Sequence, residues 1–457
     1  MRVINPANGE QIAELPGVPP GRVAEAIGAA ERAVRTPLSR ERRITVLAGI
    51  HDALVEHREA LARVITLENG KPIRESRAEV DYAAGFYRYF SRSLEHLEPE
   101  ELSERPRGCR WTVHRRPAGV AALITPWNFP LGMLAKKLGG ALAAGCSVVV
   151  KPASATPLSA VAVFAILERL SLPAGYANLL LGGGSSIGAQ LCAHPAVRIV
   201  SFTGSTEVGR DLMVAAAPHL KRLSLELGGN APFIVFGDAN PDQAAEALVA
   251  NKFRACGQTC VCTNRVLVAS TLRARFERAV VERVALLRQG DGLDEATDIG
   301  PLIHTEAFDH VGAMVDDALA GGAVRLHGAV PVRPAAPWGA FFPATVLTGI
   351  KPEMRVWSEE IFGPVVGIRT FDSEQEALAM ANDTVHGLAA YFFTEDAGRA
   401  ARFAEGLRFG HVGWNTSTGP TPEAPFGGMK ASGFGREGGL EGLLEFCESQ
   451  VVTLPLR

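Results

Sequence analysis

The chain has 457 residues, 47% of them hydrophobic, and a formal charge of −3, so it is too long for one ordinary core and not basic enough for a nucleic-acid binder. No apolar run approaches the roughly eighteen residues of a membrane span, and Met1-Arg2-Val3-Ile4-Asn5-Pro6 does not open a signal peptide, which leads us to expect a cytoplasmic protein without a membrane partner. Seven scattered cysteines, an odd number, suit a reducing compartment better than a disulfide framework, and no metal site is expected.

In chain order, apolar spacing predicts amphipathic helices over Arg22–Arg35, Arg40–Glu68 and Ile73–His96. From Val120 the pattern changes. Val120–Thr125, Ser147–Lys151, Ala177–Leu181, Arg198–Thr203 and Arg222–Leu227 read as strands, with helices Leu131–Ala144, Pro157–Leu170 and Glu207–Ala217 between them. Thr156-Pro157 reads as an N-cap followed by proline at the first helical position. This alternation predicts an α/β fold with a parallel sheet covered on both faces. A second series follows Leu227-Gly228-Gly229: strand Ala231–Phe236, helix Pro241–Arg254, strand Arg265–Ala269, helix Leu272–Arg288, helix Glu306–Gly321 and further alternation to Val412. We read it as a second α/β domain. The tail reads as a short helix, Glu441–Cys447, and a strand, Val451–Leu456, without a local partner.

Several stretches carry chemistry. Cys256, Cys260 and Cys262 lie within seven residues, and a thiol becomes a good nucleophile only where its surroundings favour the anion. Gly257 and Gln258 suggest a tight loop whose amides face the sulfur of Cys260; alone, these thiols read as buried structural cysteines. Pro126-Trp127-Asn128 follows a strand end, where ligands gather in parallel sheets, and a neutral amide suits oxyanion stabilisation. Lys151 to Ser154 also follows a strand and suits a ribose or phosphate. Phe202-Thr203-Gly204-Ser205 leads through a turn into a helix whose amino terminus suits a diphosphate; Gly182-Gly183-Gly184 is similar and equally weak alone. Glu226, between apolar residues and glycines, should have a raised pKa suited to a general base. Glu360 and Phe362 pair a carboxylate with a ring that can pack on a planar group.

Together and in this order, these motifs resemble the aldehyde dehydrogenase superfamily over essentially the whole chain, including the 34 residues from Glu226 to Cys260. The resemblance implies a Rossmann-like cofactor domain (1–105 and 120–227), an α/β catalytic domain (228–428) and a small β oligomerisation element (106–119 and 441–457). It implies Cys260 as the nucleophile, and Asn128 and the Cys260 amide as stabilisers of the thiohemiacetal oxyanion. Hydride transfer to the nicotinamide would leave a thioester, which water activated by Glu226 hydrolyses to the acid. Thr125, Pro126 and Trp127 match the cofactor cleft, Lys151 and Glu360 ribose positions, and Phe362 the nicotinamide side. Thr203, Gly204 and Ser205 match the diphosphate turn, with Gly184, Gly188 and Leu227 nearby. A homodimer or homotetramer is implied, bridged by a hairpin around Arg110–Arg116 and the tail strand.

Two features narrow the branch. Ser154 stands where NAD-preferring relatives often carry glutamate, so NADP is expected to be accepted and preferred, with NAD possible. Lys252 to Cys262 is similar to the succinate-semialdehyde dehydrogenase branch, in which the arginine matching Arg254 binds the distal carboxylate. Lys136 replaces that branch's second arginine, losing the bidentate fork, and the loop with Thr421 also departs from its pattern. Succinate semialdehyde is the leading substrate, another small or aromatic aldehyde the alternative. Some members of that branch form a reversible disulfide in C-x-C, which would pair Cys260 with Cys262. A catalytically silent member would have lost Cys260, Glu226 or Asn128, and an acylating one would pass the thioester to a thiol such as coenzyme A.

Overall fold

The computed structural model describes residues 1–19, 21–103 and 108–456; the expected junction at 105/106 and the last residue of the tail element, 457, lie outside them. After the antiparallel strand pair Arg2–Ile4 and Gln11–Glu14 come the helices Arg22–Val34, Arg40–Glu56, Arg58–Asn69 and Ile73–Arg92. The single helix expected over Arg40–Glu68 is broken at His57, whose φ −99 and ψ 20 end one helix and start the next. The apolar spacing runs through the break, with Ile50, Leu54, Leu61 and Ile65 all buried, which is why periodicity did not reveal it. The helix Ile73–Arg92 also ends before the expected His96, passing at Ser93 into a 3₁₀ turn, Ser93–Leu97.

Two sheets form the body among the described residues. One runs in the order Gly433–Phe434, Arg222–Glu226, Val197–Thr203, Val120–Ile124, Ser147–Lys151, Ala177–Leu179, parallel except for the first pair. The other runs Val324–His327, Thr345–Thr348, Val365–Phe371, Thr263–Ala269, Ala231–Val235, Ala389–Phe393, His411–Trp414, parallel except for its first pair. The central strands Val120–Ile124 and Ala231–Val235 are buried along their whole length, as strands covered on both faces must be. Gly433–Phe434 brings the chain back from the second sheet to the edge of the first, beside Arg222–Glu226.

A third sheet pairs Cys447–Pro455 antiparallel with Cys109–Pro117, which also pairs with Glu100–Glu101. The tail strand therefore starts before the expected Val451 and has an intrachain partner; Val451 and Leu454 remain exposed. The tail helix, Gly439–Leu444, is shorter than expected. Among the described residues no helix is long and apolar enough to cross a membrane.

Thr156 is not the cap expected for the helix Leu158–Arg169. Its hydroxyl donates to the Trp127 carbonyl at 3.2 Å. The free amides of Leu158 and Ser159 instead donate to the Glu68 carboxylate at 2.7 and 3.0 Å. A buried carboxylate from a neighbouring helix satisfies both donors where one hydroxyl serves a single amide. Burial pushes the Glu68 carboxyl up to about 7.

Candidate active site

The cysteine loop sits between two strand ends. The helix Pro241–Lys252 stops two residues before the predicted Arg254, and a 3₁₀ turn, Arg254–Gly257, follows. In it Ala255 and Cys256 take φ values of 48 and 57, left-handed conformations that cost non-glycine residues energy and cluster at functional loops. Gly257, at φ +74, packs so closely that a Cβ would lie 2.2 Å from the Gly363 carbonyl. Only glycine lets the loop rest on the Glu360–Gly363 segment.

The thiols separate by burial and direction. Cys256 is buried and lines neither cavity described below. Cys262 is buried too, its thiol donating to the Lys252 and Thr263 carbonyls at 3.6 and 3.5 Å; joining it to Cys260 requires leaving both. Cys260 alone is partly exposed and lines two cavities at once. The Gln258 amide, expected to face the sulfur, is engaged by the Ala255 carbonyl at 3.0 Å. Burial pushes the Cys260 thiol up to about 12, with Lys136 and the residue's own amide acting the other way.

The first cavity, about 310 Å³, is lined by Pro126, Trp127, Asn128, Thr203, Gly204, Ser205, Leu227, Glu360 and Phe362, with Met133, His304 and His310. Trp127 and Phe362 meet edge to face with centroids 5.7 Å apart. The Glu360 carboxylate accepts from the Gly229 amide at 3.0 Å, and burial lifts it to about 7. The Thr203 hydroxyl is buried without a partner. Thr125 is buried beside this cavity at the end of its strand. Further along the strand ends, Lys151 donates to the Pro152 carbonyl at 2.9 Å and Ser154 to the Gly182 carbonyl at 2.7 Å. A Cβ on Gly184 would stand 3.6 Å from the Lys151 ammonium, and one on Gly188 would touch Leu212. Among the described residues no carboxylate pairs with Lys151, and burial lowers its pKa.

The second cavity, about 570 Å³, opens on the other side of Cys260 and shares only that residue and Met133 with the first. Arg254, Lys136 and Thr421 line it together with Arg74, Glu75, Tyr82, Phe129 and Phe426. The Arg254 guanidinium lies 5.4 Å from the Phe129 centroid, and its Nε is buried without a partner. Glu75 is engaged by the Ala255 amide at 2.7 Å, and burial raises its pKa. The Lys136 ammonium stands 4.5 Å from the Phe426 centroid and 3.9 Å from the Glu437 carboxylate.

Asn128 is held by residues the sequence reading missed. Lys71 and Glu79 form a fully buried ion pair at 2.6 Å. Lys71 also donates to the Asn128 carbonyl at 2.6 Å, and Glu79 accepts from the Leu131 and Gly132 amides. Such an ion pair is tolerated in the interior because its remaining polar atoms are satisfied. The Asn128 carboxamide donates to the Gln258 carbonyl at 3.0 Å and lines the first cavity.

Glu226 lies beneath the site, not on a cavity wall. Both carboxyl oxygens are buried without a partner, and a Cβ on Gly427 would sit 2.8 Å from one of them. Burial and then the nearby Glu437 carboxylate raise its pKa well above the ordinary range. Glu437, ion-paired to Lys137, was also missed. Two adjacent lysines in the otherwise apolar helix Pro130–Ala144 were the available signal, since a buried ammonium demands a counter-charge.

The structure thus places a partly exposed thiol at the junction of two cavities, with the Asn128 carboxamide on the wall of one and the Glu226 carboxyl buried beneath. Residues 1–452 match the aldehyde dehydrogenase family, and the chain belongs to it: it is an oxidoreductase acting on aldehydes with the aldehyde dehydrogenase fold. It is 44% identical over 455 residues to a non-phosphorylating aspartate-semialdehyde dehydrogenase of Halomonas elongata, covering 99% of this chain and 92% of that one. It is 43% identical to an NADP(+) succinate-semialdehyde dehydrogenase of Escherichia coli, covering 99% and 94%. A solved oxidoreductase from Marinobacter aquaeolei superposes with a TM-score of 0.96 at 52% identity, covering 99% and 94%.

Proposed function

We propose that the protein oxidises a small aldehyde bearing a distal anionic group, succinate semialdehyde first among them, to the carboxylic acid, with NADP preferred over NAD. The observation that carries the substrate class is the Arg254 guanidinium, whose Nε lies buried and unpartnered in the cavity that ends at Cys260. A distal carboxylate would complete it with charge-assisted hydrogen bonds. Both relatives named above are, by their names, dehydrogenases of carboxylate-bearing semialdehydes.

In this reading Cys260, its thiol proton lost to solvent, adds through its sulfur to the aldehyde carbon, and the Asn128 amide and the Cys260 backbone N–H receive the developing oxyanion. When bound, the nicotinamide cofactor supplies the acceptor that takes two electrons and the aldehyde hydrogen as hydride. The resulting Cys260 thioester is cleaved by water, which gives up its proton to Glu226 and releases the acid and the free thiol. Glu226 must rotate from its pocket beside Gly427 and Glu437 to do so. Thr203, Gly204 and Ser205 would hold the diphosphate side, Glu360 a ribose, Trp127 and Phe362 the nicotinamide end. Ser154 and Lys151 would receive a 2′-phosphate, which a carboxylate there would repel.

The three-stranded sheet of Cys447–Pro455, Cys109–Pro117 and Glu100–Glu101 is the candidate bridge between subunits of a dimer or tetramer. A steady-state panel of semialdehydes, uncharged aliphatic aldehydes and aromatic aldehydes with both cofactors tests the whole reading. A higher kcat/KM for uncharged aldehydes would overturn the substrate class, and a strong NAD preference the cofactor assignment.

A further inference from the structure

A third cavity, of about 260 Å³, shares no residue with the two that meet at Cys260. It lies between the start of the helix Arg40–Glu56, the turn Ser93–Leu97 and the strand Cys109–Pro117. Its charge is one-sided. Arg40, Arg43, Arg115 and Arg116 line it against one carboxylate, Glu98, which pairs with Arg40.

The guanidinium groups keep donors in reserve. Arg43 spends one nitrogen on the Ala143 carbonyl, while its Nε and that of Arg40 are buried without a partner. Among the described residues the Arg115 side chain donates to the Ser449 hydroxyl and the Arg116 side chain to the Gln450 amide oxygen, at 3.1 Å. Arg43 has no carboxylate beside it among the described residues, and burial depresses its pKa. Two guanidinium groups with a nitrogen buried without a partner at one cavity, those of Arg40 and Arg43, are costly unless an anion completes them. Their planar forks match the oxygen geometry of phosphates and carboxylates.

We propose that this cavity binds a small polyvalent oxyanion, of the phosphate or di- and tricarboxylate class, away from the catalytic centre. Binding would tie the helix Arg40–Glu56 to the strand Cys109–Pro117, and so to the terminal strand paired with it.

The probe is inorganic pyrophosphate, titrated by calorimetry and thermal unfolding into full-length enzyme saturated with NADP, so that the dinucleotide cleft does not take it up. A saturable rise in Tm is expected, beyond that given by sodium chloride at the same ionic strength. Arg43→Gln should weaken the apparent Kd by about tenfold or more. Because Arg43 also ties to Ala143, the double variant Arg115→Gln/Arg116→Gln, on partly exposed strand positions, should weaken it as well. Both should leave kcat/KM for the aldehyde unchanged. A Tm shift that sodium chloride reproduces, or one that both variants retain, overturns the proposal. So does a parent that takes up no pyrophosphate while the double variant loses its oligomeric state, because the occupant would then be an acidic side chain of a second copy.

Discussion

The two cavities that meet at Cys260 are built on opposite principles. The first is assembled from strand ends and the turns that follow them, and its charged wall residue is a carboxylate, Glu360. The second gathers side chains from the helix Ile73–Arg92, the helix Pro130–Ala144, the cysteine loop and the loop at 418–421, and its walls carry Arg74, Arg254 and Lys136. One side of the thiol is walled by backbone and hydroxyl groups of strand-end turns. The other is walled by charged side chains of both signs, Arg74, Arg254 and Lys136 with Glu75 and Glu79. In the proposed function aldehyde and cofactor reach the same sulfur from separate cavities, so changes on one side should leave the other intact.

The largest expected effect removes the junction itself. Cys260→Ala should lower kcat by at least about 10⁴-fold while cofactor binding, followed by fluorescence quenching, persists; residual turnover near the parent's would show that another thiol serves.

Glu226→Gln should cost about 10²- to 10⁴-fold in steady-state turnover yet keep a burst of reduced cofactor, because only the hydrolytic half is lost. In the parent, the raised Glu226 pKa makes hydrolysis increase as pH rises through it. Glu437→Gln removes the like charge and should move that ascending limb to lower pH. A limb that stays in place would place the pH control elsewhere.

Sharper tests act on one cavity at a time. Arg254→Leu should lower kcat/KM for succinate semialdehyde about 10- to 100-fold, the loss of one or two charge-assisted hydrogen bonds, and change an uncharged aldehyde of similar length by less than about threefold. Equal losses for both would make Arg254 a structural support of the loop. Ser154→Glu should lower kcat/KM with NADP at least about tenfold through repulsion of the 2′-phosphate, with NAD and the aldehyde KM little affected. An unchanged cofactor ratio would move the 2′-phosphate away from Ser154.

Legibility followed the same divide. The cofactor side could be read because its residues fall in short motifs directly after apolar strands: Asn128 after Val120–Ile124, Lys151 at the end of Ser147–Lys151, Thr203 to Ser205 after Val197–Thr203. Local order and strand-end placement follow from chain connectivity. The substrate side could be read only in part: Arg254, Lys136 and Thr421 were expected there and line one cavity, but Arg74 and Tyr82 lie more than 300 residues from Phe426 and only packing brings them together. The Lys71–Glu79 pair that fixes Asn128 and the Glu437 carboxylate beside Glu226 were missed for the same reason.

By itself the sequence determined the α/β alternation and the family, and through motif order singled out Cys260 and Glu226 as candidates. Tertiary structure decided the rest. It turned the Cys262 thiol toward backbone carbonyls, set Lys136 against Phe426 and Glu437, replaced the Thr156 cap with Glu68, and brought Gly433–Phe434 back beside the Glu226 strand. Each of these settles where a charge or a hydrogen-bond donor finds its partner once water is excluded, and that depends on neighbours far away in the chain.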